Sequence, residues 1–552
     1  MKHYFLFTLL IIPMLIMQSC SEGNPDLLFV NGKIHTMDSA GTIVEAIAVK
    51  DGKILETGTT SGLREKYSGI NEIDLSGKVV LPGFIDAEGS IVEYSKNLNV
   101  ISLVTAKSLD DILEQVREKV KDSPPGSWIA GFGWSEFVIP VEELQKINKT
   151  LLDSISTEHN IYLINLAGNT VWVNSKLLES AGINRDTKSP DNGIIEFDSN
   201  GDPTGLLFDG ALELVRNKIP ELTDDQIRKF VIEGVKELNK WGFVGIQDRT
   251  VGTGTLNLFK ELIDSNILPI RVYAVLSAGY PAFEEYLEKG MEKNYKDRLT
   301  IRSVSLDYDG GLEFQQAIME GKYLNETSSP EPYNGQGEIE NVFKRALEKN
   351  FQVRVKAVGD KAIKNVLDVI DKVSRDLNMD GSRTVIEHIE FTDEEILKRF
   401  KEHKLIPSVR PDIGMSDMQI VSEFIGAEYL NKIANWRSIK ESCGMFVSGT
   451  DFPFHQINPF IQIYYLTQRK FIGENQFNVP NTDQVVSLDD AIRSFTIWSA
   501  YSCFQEEDRG TIEKGKYADM IVLSEDIFSD PEKLLSVKVE KTVLGGEVVF
   551  EN

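Results

Sequence analysis

The strongest constraint on this chain is a rhythm. Across its middle, short apolar runs rich in β-branched residues alternate with long amphipathic stretches. The runs fall at 128–131, 161–166, 243–247, 270–275, 300–306, 352–357, 384–389, 406–409 and 445–448. Helical stripes at 224–240, 362–377 and 393–403 lie between several of them. Repeated strand and helix units favour a parallel sheet, and closing about eight of them gives an α/β barrel of about 250 residues or more. A doubly wound open sheet is the alternative. It is weakened because no Gly-x-Gly-x-x-Gly opens a helix after a strand. The stretch 180–208 interrupts the rhythm and reads as an insertion.

The two ends have another character. Residues 26–30 and 34–37 flank Asn31-Gly32, and 43–49 and 53–57 flank Asp51-Gly52, so two hairpins are expected. Residues 518–523 and 542–550 are again short β-rich runs around glycine turns. The segments 24–80 and 506–552 are therefore expected to build one small β domain beside a body spanning 81–505. Ahead of them, Lys2 and His3 precede an apolar run over 4–17. It is short for a bilayer span and reads as an export signal.

Lys+Arg number 59 against 85 Asp+Glu, a net charge of −26. Such a surface repels phosphate backbones and anionic headgroups, which argues against nucleic acid as the partner and leaves a small-molecule ligand.

Ser19-Cys20 at the end of the apolar run resembles the lipobox of bacterial lipoproteins. The resemblance implies that Cys20 is lipidated and that this lipid alone holds the protein to the cell envelope; the alternative is an ordinary cleaved signal. Only Cys443 and Cys503 then remain, which is not a disulfide scaffold.

Asn31-Gly32-Lys33-Ile34, Leu81-Pro82-Gly83-Phe84-Ile85-Asp86-Ala87 and Glu513-Lys514-Gly515-Lys516-Tyr517-Ala518-Asp519 resemble the framing motifs of the amidohydrolase superfamily. Gly131-Phe132-Gly133-Trp134, Trp172-Val173-Asn174-Ser175, Asp202-Pro203-Thr204-Gly205, Gly359-Asp360, Ile386-Glu387-His388 and Gly449-Thr450-Asp451 follow in family order. They narrow the resemblance to the amidohydrolase 3, or YtcJ-like, branch, which includes N-substituted formamide deformylases. It implies a TIM-like (β/α)8 barrel with a metal at the C-terminal strand ends, a β-sandwich made from both chain ends, and hydrolysis of carbon–nitrogen bonds in small amide-like molecules.

Set against that family, the metal ligands are largely replaced. The His-x-His pair after Asp-Ala is Glu88-Gly89-Ser90, the bridging lysine of the fourth strand is Ser305, and the fifth-strand histidine is Lys356. His388 and Asp451 remain, so at most one divalent ion such as zinc, held by His388, Asp451 and Glu88, is implied, or none. Asp451 is also the implied proton acceptor, and Lys356 the residue that takes over catalysis if the metal is lost. Asn169, Trp172, Asp309 and Arg410 complete the implied ligand-binding set. Lys356 and Arg410 bring positive charge where a metal's charge is missing, with Glu88, Asp309 and Asp451 as their expected ionic partners. Three functions follow: a hydrolase of carbon–nitrogen bonds, a lipid-anchored binding protein without turnover, and metal-free catalysis in which Lys356 is the base or nucleophile.

Overall fold

The computed structural model describes residues 23–136, 138–324, 330–473 and 477–552, so the apolar leader and Cys20 lie outside the described residues. Eight parallel strands form one sheet: β1 (Phe84–Gly89), β2 (Phe243–Val251), β3 (Arg271–Ser277), β4 (Leu299–Asp307), β5 (Gln352–Lys356), β6 (Val385–Glu387), β7 (Ile406–Val409) and β8 (Val447–Ser448). The sheet curls until its edges nearly meet. Gly89 bridges Phe452 in parallel, and the Asp451 N–H donates to the Glu88 carbonyl at 2.9 Å. Glycine is required at 89 because a Cβ there would stand 2.2 Å from the Phe452 ring. The architecture is the nearly closed α/β barrel the rhythm predicts, not the open doubly wound sheet.

Helices cover the outside because each has one apolar stripe. Asp224–Lys240 starts in a capping box, with Thr223 and Gln226 satisfying each other's backbone N–H groups, and buries Val231, Val235 and Leu238. Asp360–Asp376 buries Ile363, Val366, Leu367 and Ile370.

The runs at 128–131 and 161–166 do not enter the barrel. They belong to a separate six-stranded sheet between β1 and β2, in which Ile101–Ser102, Trp128–Trp134 and Asn160–Asn165 run parallel and Thr170–Val173, Pro203–Asp209 and Gly193–Phe197 extend the edge antiparallel. This insertion has its own core around Trp134 and Trp172 and reaches well beyond 180–208. Interior parallel strands read alike whichever sheet they join, so periodicity alone does not separate the two.

At the ends, Asp51-Gly52 turns a hairpin, with Ala46–Lys50 antiparallel to Lys53–Gly58. Asn31-Gly32 does not. Leu27–Val30 pairs with Ala46–Lys50 and Glu72–Asp74, while Lys33–His35 departs into a second sheet beside Ile43–Val44 and Val79–Pro82. That second sheet is completed by Met520–Leu523, Val539–Leu544 and Glu547–Glu551. The two sheets share a core containing Phe29, Ile47, Val80, Met520, Val522 and Val543. Arg271, opening β3, donates to Asp519 at 2.7 and 2.9 Å and ties the C-terminal strands to the base of the barrel. Among the described residues no helix is long and apolar enough to cross a membrane.

Candidate functional site

Side chains two apart on a strand share a face, and the barrel strands carry polar pairs at that spacing: Asp86 and Glu88 on β1, Gln247 and Arg249 on β2, Ser305 and Asp307 on β4, Arg354 and Lys356 on β5. The hydrogen bonds of Asp86, Glu88, Gln247, Arg249, Asp307 and Arg354 place these faces inside the barrel, the second member of each pair toward the C-terminal mouth.

Glu88 is fully buried at the centre. Its Oε1 accepts from Arg249 Nη1 at 2.8 Å and lies 3.1 Å from His388 Nε2, and its Oε2 contacts Arg410 Nη2. Arg249 also reaches Asp307 at 2.6 Å and Glu387 at 3.1 Å. Arg354, deeper in the barrel, pairs with Glu387 at 2.5 Å and donates to Gln247 and to the Ala87 carbonyl. Burial works to raise the Glu387 and Asp307 carboxyls, but the Arg249 guanidinium, joined by Arg354 at Glu387 and by Lys356 at Asp307, holds both below the usual carboxylate range. Asp86, beneath Glu88, accepts from the Glu88 N–H at 2.9 Å and the Thr450 hydroxyl at 2.8 Å; burial pushes it up to about 7.

His388 follows β6 with φ 58° and Asp451 follows β8 with φ 54°, backbone conformations that turn both residues inward. Burial, reinforced by the nearby Lys356 charge, pushes the His388 imidazole down to about 3, so it is neutral at ordinary pH. The acceptor at Glu88 then assigns the proton to Nε2. His388 Nε2 is 3.6 Å from Asp451 Oδ2, and the Asp451 side chain is 14% exposed at the mouth. One ligand atom each from Glu88, His388 and Asp451 lies within 4.8 Å of the others.

Lys356 ends β5 opposite Asp307 and Glu387 and is half-buried. It shares a strand face with Arg354, whose guanidinium bonds inside the barrel, so Lys356 points inward one step nearer the mouth, though it forms no salt bridge with a described residue. Arg410 is fully buried, donating to Ser408 at 3.0 Å and to the Val409 carbonyl at 2.7 Å as well as meeting Glu88.

Three residues are placed otherwise than the resemblance implies. Among the described residues Asp309 meets no cation in contact: its carboxyl accepts backbone N–H groups from Ile318, Val358 and Gly359 at 2.8, 2.8 and 3.0 Å, and burial pushes it up to about 7. It organises the loop after β4. Trp172 is wholly buried in the insertion, its indole N–H bonded to the Asn148 carbonyl. Asn169 lies on an exposed turn of the same insertion, bonded to Asn165. Arg249, Arg354 and Glu387 are the residues sequence reasoning missed. The signal was there: Arg249 and Arg354 each stand two residues from another polar residue on a barrel strand, and Glu387 stands beside His388.

The model of the family described as "Amidohydrolase family" matches residues 71–550. The putative amidohydrolase YtcJ of Bacillus subtilis is 28% identical over 534 residues, covering 94% of this chain and 98% of its own. The N-substituted formamide deformylase of Arthrobacter pascens is 24% identical over 548 residues, 95% of this chain and 98% of its own. Among solved structures, an uncharacterized metal-dependent hydrolase from Pyrococcus furiosus superposes with a TM-score of 0.71 at 26% identity, over 91% of this chain and 99% of that one.

Proposed function

The chain belongs to the amidohydrolase family, and on that footing we propose that it acts on carbon–nitrogen bonds of a small amide-like molecule at the barrel mouth, with protein-borne cations in place of a divalent metal. The observation that carries the reading is the double engagement of Glu88 by Arg249 and Arg410. A metal held by Glu88, His388 and Asp451 would have to share one carboxylate with two guanidiniums and stand near the Lys356 ammonium, so this donor set does not fit a divalent ion. Four acids, Glu88, Asp307, Glu387 and Asp451, face four fixed cations, Arg249, Arg354, Arg410 and Lys356, which offset them, while burial moves Asp86 beneath them toward its neutral form.

In this reading Asp451 takes the proton of the attacking water, Lys356 faces the developing oxyanion, and Asp451 returns the proton to the leaving amine. A second reading, ligand binding without turnover, is favoured by one observation: all three arginines are committed to carboxylates, leaving Lys356 as the one cation free of a salt bridge among the described residues of the centre. We further read the two terminal sheets as a β-sandwich, and the leader ending at Cys20 as that of an exported, lipid-anchored protein.

The test is an assay of formamides, acylated amino acids and small lactams with and without a chelator, alongside Asp451→Asn. Turnover that ignores the chelator and falls about 10²-fold or more in the variant supports the first reading. Ligand-induced thermal shifts without product support the second, and turnover that requires added zinc refutes the charge replacement itself.

A further inference from the structure

At the opposite end of the barrel lies a charged group that the mouth does not use. Arg302 sits near the start of β4, five residues before Asp307, so about 17 Å separates it from the mouth at roughly 3.3 Å per strand residue. Its guanidinium lies over the Phe504 ring, 3.3 Å from the centroid, and the Arg383 guanidinium lies 4.4 Å from that same ring. The two differ in what else they meet. Arg383 donates to both oxygens of Glu506 at 2.9 and 2.6 Å. Arg302 makes no hydrogen bond and no ion pair with any described residue, and its Nε is buried without a partner.

A ring takes the flat face of a guanidinium but none of its N–H donors, and here the Nε donor is buried without an acceptor. A partly desolvated cation in that state is costly unless an anion completes it. The space for one is present: a polar cavity of about 80 Å³, lined by Arg302, Phe504, Asn350, Asn378, Asp380 and Ser382. At roughly 30 Å³ per water, it holds two or three waters or one small oxyanion.

We propose that this cavity is a binding site for a small oxyanion of the phosphate, sulfate or carboxylate type, with Arg302 as the ionic anchor. Asp380 stands on its wall, tied to Lys404 at 2.9 Å, and its negative charge weakens the affinity. The bound anion bridges the base of β4, the helix ending at Glu348 and the loop before β6. It therefore acts as a brace at the barrel base, independent of the chemistry at the mouth.

Calorimetric titration of the purified full chain with phosphate, sulfate and acetate at constant ionic strength, with chloride as the control salt, tests this. Saturable one-to-one binding of at least one oxyanion, weakened at least tenfold in Arg302→Gln and tightened in Asp380→Asn, is expected. No saturable binding, equal binding in Arg302→Gln, or a chloride response matching the oxyanions overturns the proposal. Should Arg302→Gln fail to fold, Asp380→Asn decides alone, since that residue is exposed; unchanged or weaker binding there is likewise contradictory.

Discussion

Arg249 reaches three carboxylates at once, Glu88, Asp307 and Glu387, and this makes it the residue whose loss the centre tolerates least. Arg249→Gln leaves Glu88 and Glu387 buried with one cation fewer, a change on the order of 3–5 kcal/mol. Lys356→Gln removes a charge without a salt bridge and is expected to cost less than about 1 kcal/mol. Denaturant melts of the two variants check the contrast. A pH dependence belongs to the same scale. Folding depresses His388 from its usual value near 6.5 to about 3, so between those values the unfolded chain binds a proton that the folded chain does not. Stability attributable to this group is complete above pH 6.5 and declines as the pH falls toward 3. In His388→Gln, on the order of 2 kcal/mol of the acid-induced loss between pH 6.5 and 5 disappears; melts at matched pH values measure it.

Among elements, the loop after β4 depends on a single carboxyl. Asp309→Ala strands the N–H groups of Ile318, Val358 and Gly359, at about 1–3 kcal/mol for the buried donors. Hydrogen exchange at those three amides is expected to accelerate while exchange on β2 and β3 stays slow. Elements of this kind were partly legible in the sequence. Helix Asp224–Lys240 shows its stripe there, and the barrel strands show their apolar runs. The bonds of Asp309 were not legible, because a carboxylate beside two glycines looks the same whether it meets a cation or three amides. The pairing of Arg249 with Glu88 and Glu387 was hidden for a related reason: strand alternation places each side chain inside the barrel, but which ones meet is set by the stagger between strands.

For the whole molecule, the two chain ends build one sheet, with Met520–Leu523 antiparallel to Val79–Pro82. The motifs at both ends announce that partnership, whereas the turn at Asn31-Gly32 misleads, since a hairpin signal is local and the sheet pairing is not. Truncation after residue 505 removes the three C-terminal strands and uncovers Val80 and Leu81. The shortened chain is expected to aggregate on expression, as a soluble-fraction assay reports, while the full chain stays soluble. The charge balance at the mouth is a property of the whole barrel too, assembled from β1, β2, β4, β5, β6 and the segments after β7 and β8. Elemental analysis of the purified protein after growth and dialysis with added zinc tests that balance most directly: metal well below one equivalent per chain is expected, and zinc retained near one per chain would contradict it.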